Sequence, residues 1–100
     1  MSISRVLFVV TALLFSISLS EAACGLSAKY GKGKAVCFGT GTEVCRRLAA
    51  ELSGEYDCEQ YSVRGWRCKA RGKRNCEKKQ QAFIDACSKY NGSSEVEKAC

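Results

Sequence analysis

The side chains that could do chemistry in this chain are eight Cys, ten Asp plus Glu and sixteen Lys plus Arg, and His is absent. Without His there is no Ser-His-Asp or Cys-His pair, no imidazole base and no imidazole metal ligand. The carboxylates beyond residue 22 are Glu43, Glu51, Glu55, Asp57, Glu59, Glu77, Asp85, Glu95 and Glu97. A glycosidase needs two carboxyl groups about 5 to 9.5 Å apart across a cleft, and nothing in this spacing nominates a pair. A domain this small also has little room for a substrate pocket of about 300 Å³. The expectation is a non-enzymatic protein without a cofactor.

Cys24, Cys37, Cys45, Cys58, Cys68, Cys76, Cys87 and Cys100 are evenly spread, with at least seven residues between neighbours. Zinc sites usually bring pairs of Cys within two to four residues, so no metal is expected. An even number of Cys in a short chain reads instead as four disulfides. Eight Cys allow 105 pairings, and spacing does not choose among them. The pattern has no adjacent Cys-Cys and no Cys-x-Cys, which separates it from hydrophobins, non-specific lipid-transfer proteins and defensin-type scaffolds.

Charge is the third signal. Arg64, Arg67, Lys69, Arg71, Lys73, Arg74, Lys78 and Lys79 fall within sixteen residues, opposed only by Glu77. Such a cluster attracts anionic lipid headgroups, wall polymers or an acidic partner, and more weakly as salt rises. The alternative is a solvated face that keeps a small protein soluble. Trp66 lies within the cluster but shares strand parity with Cys68 and Ala70, which makes it a core residue. No nucleic-acid-binding motif accompanies the cluster. Asn91-Gly92-Ser93 is an N-glycosylation sequon placed at an expected helix end.

The elements that must position these groups follow from periodicity. Residues 1–22 combine Arg5, an apolar run from Val6 to Phe15 and a small, polar end, which is the pattern of a secretory signal peptide. Ten apolar residues are about half of what a membrane span needs, so no transmembrane segment is expected. Residues 23–100 then form one disulfide-rich domain, expected to be secreted and monomeric. Removing Arg5 and Glu21 leaves fifteen basic and nine acidic residues, so the domain keeps the net charge of +6.

Thr40-x-x-Glu43 reads as a capping box ahead of a helix over 42–53, with Val44, Cys45, Leu48, Ala49 and Leu52 on its apolar face. Glu43 to Arg47 and Arg47 to Glu51 are spaced as ion pairs. A second helix runs from Asn75 to Asn91-Gly92, with Cys76, Gln80, Phe83, Ile84, Cys87 and Tyr90 on one face. Between them, Tyr56 to Val63 and Trp66 to Arg71 alternate as a strand hairpin. Lys34 to Phe38 and Leu26 to Tyr30 are further strands across a flexible Gly31-Lys32-Gly33. Ser94 to Cys100 is either a last strand or one capped helical turn. The order predicts an α+β domain: a small antiparallel sheet with two helices on one face, in a ferredoxin-like split βαβ order. Arg67, Lys69 and Arg71 would share one sheet face, with Arg74, Lys78 and Lys79 at its end.

With Cys45 and Cys87 placed in the two helices, the chain resembles the small virally encoded killer toxins of smut fungi with α/β-sandwich subunits, and the secreted fungal effectors similar to them. Those toxins are cut from precursors at dibasic sites, whereas Lys73-Arg74 here lies inside the cysteine frame, where a cut would nick the domain. The resemblance implies a toxin-like or effector-like protein acting by surface binding. The favoured expectation is docking of the basic face on an anionic cell surface or wall polymer. The other readings are an inhibitor or ligand that grips one host protein receptor through loops such as Gly31-Lys32-Gly33, and a membrane-active antimicrobial protein.

Overall fold

The computed structural model describes residues 23–100, so the expected signal sequence lies outside the described residues. In chain order the elements are β1 (Cys24–Tyr30), β2 (Gly33–Gly39), α1 (Thr42–Leu52), β3 (Tyr56–Ser62), β4 (Gly65–Ala70), α2 (Cys76–Lys89) and β5 (Ser93–Lys98). The five strands form one sheet in the order β3-β4-β1-β2-β5.

Strand placement follows from what each strand can bury. β1 alternates buried Cys24, Leu26, Ala28 and Tyr30 with the small, half-buried Gly25 and Ser27, a composition suited to the centre of a sheet. β3 and β5 carry Asp57, Glu59, Glu95 and Glu97, and charged strands belong at edges, where they block further pairing. β1 and β2 join through Gly31-Lys32, with Gly31 at φ 61, in a two-residue hairpin turn. The expected flexible glycine segment is thus a tight turn. Its third residue, Gly33, belongs to β2 and lies so close beneath the Tyr30 ring that a Cβ would fall 2.4 Å from it.

The wholly antiparallel, ferredoxin-like sheet expected from the sequence is not what forms. β1 lies between β2 and β4, antiparallel to the first and parallel to the second, so the sheet is five-stranded and mixed. The hairpin brings β1 beside β2 and its apolar alternation requires cover, so it occupies the centre rather than an edge. The final segment is a strand, β5, antiparallel to β2.

Both helices pack on the same side of the sheet. α1 buries Cys45, Leu48, Ala49 and Leu52, four of the five expected positions, while Val44 stays half-buried. α2 fully buries Phe83 and Cys87, with Cys76, Ala86 and Tyr90 packed at the margin of the same core. The expected capping box is absent: Gly41 is the N-cap and no side chain caps the helix. Glu43 instead accepts hydrogen bonds from Arg46 at 2.6 Å and Arg47 at 3.4 Å, and the Arg46 bond holds its carboxyl below the usual carboxylate range. Glu51 pairs with Lys89 of α2 at 2.6 Å rather than with Arg47.

α2 ends in a Schellman motif. Asn91 takes the left-handed conformation at φ 60, the Gly92 N–H donates to the Cys87 carbonyl at 2.8 Å, and the Asn91 N–H donates to that of Ser88 at 3.0 Å. A Cβ on Gly92 would stand 2.6 Å from the Cys37 sulfur and 2.8 Å from that of Cys87, so the turn closes tightly over that disulfide.

The eight Cys form four disulfides: Cys24–Cys45, Cys37–Cys87, Cys58–Cys68 and Cys76–Cys100. The first fastens α1 to β1 and the second fastens α2 to β2, so each helix is bolted to the sheet through a buried Cys. The third joins directly paired residues of β3 and β4. The fourth ties the first residue of α2 to the last residue of the chain.

Loop length ranks these links. Cys37–Cys87 spans a separation of 50 residues and Cys58–Cys68 only 10, worth about 4 and under about 3 kcal/mol by chain entropy. Cys37→Ala/Cys87→Ala should therefore lower the denaturation midpoint more than Cys58→Ala/Cys68→Ala, measured by chemical unfolding.

The tyrosines give a pH dependence. Tyr30 and Tyr56 are buried; the Tyr30 hydroxyl donates to Gln80 Oε1 at 3.1 Å and that of Tyr56 to the Lys79 carbonyl at 3.4 Å. Burial, with Tyr30 and Glu55 nearby, pushes Tyr56 up to about 12, and burial raises Tyr30 as well. The neutral phenol is the form the fold favours, so this stabilisation is complete below about pH 10 and is lost as pH rises toward 12. Stability should fall across that interval, and Tyr56→Phe should flatten the fall in pH-dependent unfolding curves.

Candidate functional site

The side of the sheet away from the helices carries no covering element among the described residues, and the strand pairing decides what it displays. Near the β1–β2 turn end of the sheet, Asp57, Lys69, Lys29 and Lys34 stand at matched positions on β3, β4, β1 and β2. One row along, Glu59, Arg67, Ser27, Val36 and Glu95 are likewise in register. The three inner strands of this open face are therefore basic, from Lys29, Lys34, Arg67 and Lys69, while the edge strands carry Asp57 and Glu59 on β3 and Glu95 and Glu97, with Lys98, on β5. Ser27, Lys29, Lys34, Arg67 and Lys69 line a shallow depression of about 330 Å³.

Like charges directly opposite each other in a sheet are destabilising. Four lysines in one cross-strand row, Lys69, Lys29, Lys34 and Lys98 of β5, are therefore a cost, and it is only partly relieved. Lys34 pairs with Glu97 at 3.4 Å. Asp57, in line with Lys69, gives its carboxylate to Arg71 at 2.8 Å. Among the described residues, neither Lys29 nor Lys69 has an ion-pair partner. Arg67 stacks its guanidinium over the exposed Tyr61 ring, 4.7 Å from the centroid, which holds it flat against the sheet.

The basic cluster expected from the sequence is divided by the fold. Arg67 and Lys69 lie on the open face as expected. Arg64 occupies the turn between β3 and β4 at one end of the sheet, where its carbonyl accepts from the Gly25 N–H at 2.9 Å. Arg71 is bent against the β3 edge, with Nε on Asp57 and Nη1 on the Gly54 carbonyl at 3.2 Å. β4 ends at Ala70, and the turn through Gly72, at φ 139, carries the chain toward the helix layer. Lys73 lies against the β1–β2 turn beside Gly31 and Lys32, Arg74 follows it, and Lys78 and Lys79 lie on α2, rather than extending the sheet face. Lys79 is drawn back onto the Gly72 carbonyl at 2.9 Å.

Lys29 and Lys34 take their place. Sequence reasoning passed over them because they lie 30 or more residues before Arg64, yet their alternation with Ala28, Tyr30 and Ala35 already put both on the outer face of their strands. Trp66 is half-buried on the helix side, packed against the core beside Arg46, Ala49 and Ala50 of α1. Asn91 is exposed at the C-terminal end of α2, where a sequon is accessible. The described residues hold no group of three or more His, Cys, Asp or Glu arranged for a metal ion. None of their helices is long and apolar enough to cross a membrane.

Comparison with protein families, curated proteins and solved structures finds no match for this chain. The arrangement itself can hold an anion or an anionic chain against the centre of the sheet.

If the lysine row is kept for binding rather than for folding, relieving it should stabilise the protein. Lys29→Thr is expected to raise stability by roughly 0.2 to 1 kcal/mol in thermal or chemical unfolding. A loss of stability would show that Lys29 has a structural role instead.

Proposed function

We propose that this protein is a secreted, non-catalytic binding protein of the toxin or effector kind, and that it docks the open face of its sheet on an anionic cell surface. The observation that carries this reading is the row of Lys69, Lys29 and Lys34 across three adjacent strands, with Arg67 beside it. Such a row costs stability and serves no packing role, so an external anion is its natural counterpart. Four disulfides in a domain this small are consistent with an extracellular setting, where they persist. The resemblance to small fungal killer toxins and effectors supplies the wider class. The eight-residue basic cluster from Arg64 to Lys79 narrows on this reading to Arg67 and Lys69, joined by Lys29 and Lys34.

A salt titration of the oxidised domain on intact cell walls and on anionic vesicles tests it. Binding should collapse between about 50 and 500 mM salt. Lys29→Glu/Lys69→Glu should abolish it in a domain that still folds, whereas Lys73→Glu/Lys78→Glu should weaken it only slightly. Binding that ignores the first pair and follows the second would move the site to the helix layer. Binding that survives high salt would replace the anionic surface with a specific protein receptor.

A further inference from the structure

A third row of the open face sets two glycines beside the exposed Phe38 ring, with the Tyr61 ring over one of them. Gly25 on the central strand pairs with Gly65 of β4 on one side and Phe38 of β2 on the other. Tyr61, from β3, lies over Gly65 so closely that a Cβ there would fall 2.5 Å from its ring, so the fold requires that glycine. Gly25 is different. Its φ lies outside the left-handed region, and a Cβ on it would meet only Phe38 ring carbons at 3.9 Å, an ordinary contact. Nothing in the packing asks for glycine at this position. Glycine inside a strand weakens it, and the usual reasons for it there are a bulge, a bend or the close approach of a ligand or another backbone.

Gly25 therefore leaves a trough, a gap in side-chain cover, between Phe38, 51% exposed, and Tyr61, 59% exposed. The trough runs along β1 past Ser27 to the lysine row at Lys29, about 13 Å away at the rise of an extended strand. Carboxylates flank it on both edges, Asp57 and Glu59 on β3 and Glu95 and Glu97 on β5, where Lys98 stands beside them. A flat anionic bilayer laid on the sheet would bring its headgroups against both edges. A single polyanionic chain running along β1 would meet only the rings and the cations. Phe38 offers an exposed ring for stacking, Tyr61 being covered by Arg67, and the available charges are the point charges of lysines. The one arginine, Arg67, is already stacked on Tyr61 and does not present a bidentate fork for phosphate.

Resting on the reading of this face as an anion-binding surface, we propose that its ligand is an acidic polysaccharide lying along β1. Its sugar rings stack on Phe38 and pass beside Tyr61, and its carboxylates are neutralised by Lys29 and Lys69.

Titration calorimetry of the oxidised domain with polygalacturonate tests this, with anionic vesicles and oligodeoxythymidylate as parallel probes. Polygalacturonate is expected to bind, and Phe38→Ala and Gly25→Val should each weaken binding on the order of five- to tenfold. Neither variant changes net charge, and Gly25→Val should unfold no more easily than the parent. Polygalacturonate binding untouched by both variants would overturn the trough while leaving the anionic-face reading intact. Binding to vesicles but not to polygalacturonate would overturn the ligand class alone, as would tighter binding of oligodeoxythymidylate. Failure to bind any of the three would overturn both readings.

Discussion

The parallel pairing of β1 with β4 is the constraint on which the rest of this structure depends. It places the N-terminal strand at the middle of the sheet, where Leu26, Ala28 and Tyr30 are fully buried beneath the two helices. The same register sets Lys29 beside Lys69 and Gly25 beside Gly65 on the opposite side. A strand whose inner face is the centre of the core thus fixes the outer face as well. Slipping the pairing by one residue would exchange the two faces, exposing Leu26 and Ala28 and burying Lys29.

The disulfides hold that arrangement where apolar burial is limited. The core is built from only a few large side chains, chiefly Tyr30, Tyr56, Phe83, Leu26 and Leu48, together with buried half-cystines. Cys24–Cys45 and Cys37–Cys87 each join the sheet to a helix from within this core, acting both as packing and as crosslink. All of this lies on one side of the sheet, so the other side is free to carry charge, glycine and exposed aromatic rings without weakening the core.

Local pattern made much of this legible in the sequence. Cys45, Leu48 and Leu52 at helical spacing, and Phe83 with Cys87, defined both helices and the faces they bury. Alternation around Trp66, Cys68 and Ala70 defined β4 and put Trp66 against the core. What local pattern could not supply was strand order. Nothing between Cys24 and Tyr30 states that the strand will be inserted between β2 and β4, because that choice is made by β4, whose paired residues lie 40 positions away. For the same reason the basic cluster was drawn from neighbours in sequence, from Arg64 to Lys79. The fold assembled a different set, keeping Arg67 and Lys69 and adding Lys29 and Lys34. The Gly72 turn, which sends Lys73 and Arg74 away from the open face, and the edge bond from Arg71 to Asp57 are likewise tertiary events.

Amide chemical-shift mapping of the isotope-labelled, oxidised domain titrated with polygalacturonate tests the central claim most directly. The account predicts that the shifted amides fall on β1 and its two neighbours, at Gly25, Ser27, Lys29, Phe38, Arg67 and Lys69, and diminish as salt is raised. Shifts confined to the segment from Lys73 to Lys79, or to the helix layer, would contradict it.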